Sequence, residues 1–222
     1  MSKKVLTYVS LAVGCLAAIA SIFYLVNAIQ LSVNYDWIDG DLKTTIYEAL
    51  VVLTLVCVTV CYALGGVKII KAFLDKKEIN YSFFVLPMAT YFAAKVVFTG
   101  VFIGFWDLSD VGGYIFALLA ISGLVLTLLP VFGKTDEKNS KLVALIAGIV
   151  GFVLSIVDLT NAGGVNAAAL VFVMFMFACV TAIYVTYVFT EYNNAPKSEA
   201  KEEKAVEAKE EATEADSEDK AE

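Results

Sequence analysis

Apolar residues along this chain gather in six long runs, with the polar residues collected in the gaps. The runs cover about residues 5–29, 44–70, 83–105, 114–132, 142–157 and 165–189. At a helical rise of about 1.5 Å per residue, about 20 apolar residues cross a hydrocarbon core of about 30 Å. Five runs meet that length or nearly do, and the run 142–157 is slightly short. The pattern predicts an all-α integral membrane protein with six transmembrane helices.

The gaps add an internal repeat. Asp107-Leu108-Ser109-Asp110-Val111-Gly112-Gly113 returns 51 residues later as Asp158-Leu159-Thr160-Asn161-Ala162-Gly163-Gly164. The same shift places Gly100 on Gly151. Each copy lies between two apolar runs and reads as the tip of a helical hairpin. A looser counterpart, Asp36-Trp37-Ile38-Asp39-Gly40, follows the first run. Three outward-facing hairpins result, and the two alike enter the membrane from the same side, a parallel repeat.

Lysine placement orients them. Lys3 and Lys4 precede the first run. Lys68, Lys71, Lys76 and Lys77 flank the second gap, and Lys134, Lys138 and Lys141 the fourth. The three other gaps hold Lys43 alone. The positive-inside rule puts both termini and the two Lys-rich connectors in the cytoplasm and the acidic turns outside. Ala18-Ile19-Ala20 and Ala12-Val13-Gly14-Cys15 come near to processing sites, but the apolar run continues past both. A cleaved apolar segment ends sooner, so an uncleaved first span is expected. Short outer loops and the lack of other targeting segments point to a prokaryotic plasma membrane.

Composition agrees with burial in lipid: 59% of residues are hydrophobic and 18% charged. The formal charge of −7 belongs to the end of the chain. Residues 195–222 carry 5 Lys and 11 acids, against 11 Lys and 12 acids in residues 1–194. In that tail Glu-Ala-Lys-Glu-Glu occurs at 199–203 and again at 207–211, with Val206 the one sizeable apolar side chain. No stripe exists to dock, so a disordered, acidic cytoplasmic tail is expected beyond a six-helix domain over residues 1–194.

Candidate chemistry is sparse. The chain has no His, and all 16 basic residues are Lys. The usual general base, the commonest metal ligand and the bidentate phosphate clamp are therefore missing. Cys57 and Cys61 stand one turn apart without further ligands, which suits packing better than metal binding. No phosphate-binding loop appears. No enzyme, metal or cofactor is expected, and no nucleic acid.

Lys95 is the one charge deep in a run. A lysine there costs at least about 2.5–3.5 kcal/mol on insertion scales and needs a partner inside the bundle. Glu48 is the nearest obvious acid, and Tyr91 and Thr99, at i−4 and i+4, stand ready to share its hydrogen bonds. Two readings stay open: a solute or ion path, or a structural pin between helices. Gly100 and Gly104 form a GxxxG pattern suited to close helix packing. In the repeated turn, Ser109 or Asp110, and equally Thr160 or Asn161, suit a helix cap, and the glycines suit a tight turn. A second reading gathers Asp107, Asp110 and Asp158 at the outer rim to draw a cation or bind a solute.

Two functional classes follow. The first is a non-catalytic polytopic membrane protein that assembles with or regulates other membrane components. Its partners would be the lipid bilayer and a membrane protein or a second copy of the chain. The alternative is a small-solute or ion transporter, or the membrane subunit of one, using Lys95. The lack of a central proline in any span leans toward the first, because transporters commonly break helices at mid-membrane.

Overall fold

The computed structural model describes residues 3–35, 42–106, 111–133 and 137–190. Six helices account for almost all of them: α1 (Lys3–Asn34), α2 (Leu42–Leu74), α3 (Ser82–Trp106), α4 (Val111–Phe132), α5 (Glu137–Asn161) and α6 (Gly164–Thr190). No strand occurs among the described residues. All six helices are long and apolar enough to cross a membrane. Each contains its predicted apolar run and extends beyond it. The short fifth run lies inside a helix of 25 residues, because helical hydrogen bonding continues through the polar residues at either end. The loop of Asp36, Trp37 and Asp39, the first copy of the turn with Asp107 and Asp110, and the tail 195–222 lie outside the described residues.

The chain divides into two units, residues 1–184 and 185–222. In the second, the described part is the last turns of α6, where Thr190 donates from Oγ1 to the Thr186 carbonyl at 2.7 Å.

Neighbouring helices pair in opposite directions. Along α1 and α2, Tyr8 meets Phe73 with ring centroids 5.9 Å apart, and Tyr24 stacks on Tyr62 at 5.7 Å. Between those points the backbones nearly touch. A Cβ added to Gly66 would lie 2.7 Å from the Gly14 carbonyl oxygen and 2.8 Å from the Ala18 nitrogen. Along α3 and α4, the Tyr81 hydroxyl donates to the Thr127 carbonyl at 3.0 Å, and Gly123 makes room for the Phe92 ring. Along α5 and α6, Gly148 opposes Thr181 and Gly151 makes room for the Phe177 ring. Among the described residues nothing lies within 4 Å of a Cβ added to Gly100, so the glycine that aligns with Gly151 in the repeat has no counterpart there to the Phe177 contact.

The centre is aromatic. Tyr91, Phe92 and Phe177 meet with centroids 5.2–5.6 Å apart, and Phe23 stacks on Phe172 at 5.3 Å. Around this core, hydroxyls are returned to their own helices. Ser10, Ser21, Thr90, Thr127 and Ser155 each donate to a carbonyl three or four residues earlier. A helix so closed presents little polar surface to its surroundings. Large aliphatic side chains point outward instead, among them Leu53, Val60, Leu64 and Val67 along α2. Water would penalise that surface and hydrocarbon would not.

The turn between α5 and α6 corrects one expectation. Thr160 Oγ1 and Asn161 Nδ2 both donate back to the Val157 carbonyl, at 2.7 and 3.1 Å. They close the end of α5 and do not cap α6, because α5 runs on through Asn161 and its own carbonyl is the nearest acceptor. The first turn of α6 closes with the Ala167 N–H donating to the Gly163 carbonyl at 3.3 Å. Of the glycine pair, Gly164 takes the left-handed conformation, with φ 56°. At the end of α2, Lys76 does the same with φ 54°. Lys77 N–H donates to the Ala72 carbonyl and Lys76 N–H to Phe73, a Schellman closure.

Candidate functional site

The site begins on one face of α3. Tyr91 and Lys95 are four residues apart, so their side chains lie one above the other. Opposite them, α5 supplies Asp158 one turn before its end. Lys95 Nζ donates to Asp158 Oδ1, and the Tyr91 hydroxyl donates to Asp158 Oδ2 at 2.8 Å. Both carboxylate oxygens are thus engaged, one by a cation and one by a neutral donor. The Phe116 ring of α4 lies 5.8 Å from Lys95 Nζ and adds a cation–π contact.

The partner expected for Lys95 was Glu48, and the structure joins Lys95 to Asp158. The reason is the unequal reach of the helices. Lys95 is eleven residues short of the end of α3 at Trp106, whereas Asp158 is three short of the end of α5 at Asn161. A residue central in its own run can therefore stand level with one at the rim of another. Glu48 makes no ion pair with Lys95 and is not among the residues lining the cavity around the pair. Its Oε2 is buried without a hydrogen-bond partner among the described residues. Nearby, burial chiefly, and then Tyr47 and Glu48, push the phenol of Tyr35 above its ordinary pKa.

The ion pair is not sealed in. Lys95 and Asp158 keep 22% and 15% of their side-chain surface, and both stand in the wall of a cavity of about 820 Å³. Every helix contributes to that wall, mostly from the half nearest the α1–α2, α3–α4 and α5–α6 connections, with Tyr62 and Tyr91 reaching further along α2 and α3. Tyr24, Asn27 and Leu31 come from α1, and Tyr47 to Tyr62 from α2. Phe98 and Thr99 extend the face of Lys95, with Phe116 from α4 and with Asn166 and Leu170 from α6. Among the described residues in the wall, Lys95 and Asp158 are its charged groups.

Tyr62 gives the cavity an unsatisfied hydroxyl. The residue is fully buried, its ring stacks on Tyr24, and its hydroxyl has no hydrogen-bond partner among the described residues. Burying a hydroxyl with no partner costs of the order of 1–3 kcal/mol.

Of the residues singled out in the sequence, Lys95, Tyr91, Thr99 and Asp158 come together here. Glu48 does not, and Asp107 and Asp110 lie outside the described residues. Tyr24, Tyr62, Asn27 and Asn166 were missed. Their signal was faint but present: Tyr24 and Tyr62 place hydroxyls well inside apolar runs, away from the interfacial positions tyrosine favours. No group of three or more Cys, Asp or Glu among the described residues is placed to hold a metal ion. The wall offers paired charges, hydroxyls and amides around an apolar hollow, which suits reversible binding of a small molecule. Comparison with protein-family models, curated proteins and solved structures finds no match.

Proposed function

We propose that this chain is a small-solute-binding membrane protein, a transporter or the membrane subunit of one. Its six helices span the plasma membrane of a prokaryote as three outward-facing hairpins, with both termini in the cytoplasm. The cavity then opens to the outside. The observation that carries the reading is the Lys95–Asp158 pair in the wall of a cavity lined by all six helices. A six-helix bundle has no packing need for two opposite charges. Ionisable groups among membrane helices are costly and typically mark solute or ion pathways. The volume falls within the range of about 300–1,000 Å³ usual for small-molecule sites. The competing reading, a component that assembles with or regulates other membrane proteins, rested on the scarcity of polar residues in the spans. The cavity brings Lys95 and Asp158 together with Tyr91, Thr99 and Asn27, which weighs toward a solute.

The test is uptake into liposomes carrying the full chain, screened with labelled amino acids, sugars, organic acids, amines and inorganic ions. The informative variant is the double substitution Lys95→Met with Asp158→Asn, which removes both charges and orphans neither. Uptake of at least one class by the wild type, lost in the double variant, is expected. Equal uptake by the two proteins across all classes would sink the reading.

A further inference from the structure

We infer that the ligand is a small zwitterion with an apolar side group, held with its carboxylate on Lys95 and its ammonium on Asp158. The inference rests on the solute-binding reading above and narrows it to one charge class.

Charge balance is the first argument. Among its described residues the wall holds one cation and one anion, already in contact. In a site walled by protein and lipid, net charge brought in by a ligand must be compensated. A lone anion on Lys95 competes with Asp158 for the same ammonium, and a lone cation on Asp158 competes with Lys95. A zwitterion adds one charge of each sign and leaves the sum at zero.

Unused bonding capacity is the second. An ammonium has three donors, and among the described residues Lys95 spends one, on Asp158. A carboxylate offers about four lone-pair directions, and Asp158 uses two, for Lys95 and Tyr91. Both groups also keep exposed surface toward the cavity. A ligand carboxylate can therefore join Lys95, and a ligand ammonium join Asp158, without breaking the pair. Four charges of alternating sign then form a closed ring, in which every nearest contact is attractive.

The third argument is the rest of the wall. Beyond the pair it is mostly aliphatic and aromatic, with Leu31, Val51, Leu55, Val58, Phe98 and Leu170. An apolar side group of the ligand would be covered there.

The test uses the full chain in lipid nanodiscs and calorimetric titration with four compounds of one skeleton. Leucine carries both charges, isoamylamine the cation, isocaproate the anion and isocaproamide neither. Leucine is expected to bind at least about tenfold more tightly than each of the others, since each forfeits one or both charge-assisted contacts. The double variant Lys95→Met with Asp158→Asn is expected to lose leucine binding. Asp158→Asn alone should shift preference toward isocaproate and Lys95→Met alone toward isoamylamine. Leucine binding no tighter than the best of the other three, or no binding of leucine, overturns the zwitterion. If one of the others binds more tightly than leucine and depends on the charged pair, the zwitterion fails and the solute-binding reading stands. The uptake screen judges that reading separately.

Discussion

At the scale of single residues, the energetics turn on Asp158. Its two oxygens take hydrogen bonds from Lys95 and Tyr91, so removing either donor leaves part of a carboxylate uncompensated. Breaking a fully buried pair costs about 3–5 kcal/mol, and some surface remains here for water, so Lys95→Met should cost less, about 2–3 kcal/mol. Asp158→Asn, which orphans the ammonium, belongs in the same range. The double variant should recover most of the loss, because no charge is left unpaired. Thermal unfolding of the four proteins in one detergent measures the coupling. Strictly additive losses would mean that the two side chains do not interact in solution.

At the scale of helices, glycines divide by what faces them. Gly66 opposes backbone atoms of α1, which cannot move aside for a methyl group, so Gly66→Ala must separate the pair. A loss of about 1–3 kcal/mol is expected, the usual penalty for overpacking. Gly100 faces open space, and Gly100→Ala should raise stability by about 0.5–1 kcal/mol through the lower entropy of the unfolded helix. Melting temperatures that fall for Gly66→Ala and rise for Gly100→Ala would bear out the assignment. If both fall, Gly100 has a contact with another copy or with lipid that the single chain does not contain. Gly66, outside the GxxxG pattern, is the glycine against a neighbouring backbone, because spacing along one helix does not say which side meets a neighbour.

At the scale of the whole molecule, orientation decides what the cavity can sample. The orientation proposed from the lysine distribution has the α2–α3 connector inside and the α5–α6 turn outside. Lys77 is exposed, and Gly163 has room for a side chain, so both positions accept cysteine. The chain's own Cys15, Cys57, Cys61 and Cys179 are unpaired and must first be replaced. A membrane-impermeant maleimide added to intact cells should label Gly163→Cys at once and Lys77→Cys after lysis alone. The reverse pattern would turn the mouth of the cavity to the cytoplasm.

The amino-acid sequence by itself determined the six helices, since an apolar run of such length, even the shorter fifth, favours a helix with its backbone satisfied internally. It also determined which charge would be expensive, because Lys95 is the one charge deep in an apolar run. What it left open was the partner. Sequence measures depth from the end of each run, and the helices do not end level, so Asp158 was read as a rim residue and Glu48 as the nearer acid. Tertiary packing alone set α5 against α3 so that Asp158 meets Lys95. It also decided that Tyr24 and Tyr62, one turn or more inside separate helices, would stack along the wall of a single cavity. A hollow belongs to no segment of chain. It exists where six helices fail to close on one another, and only their relative placement reveals it.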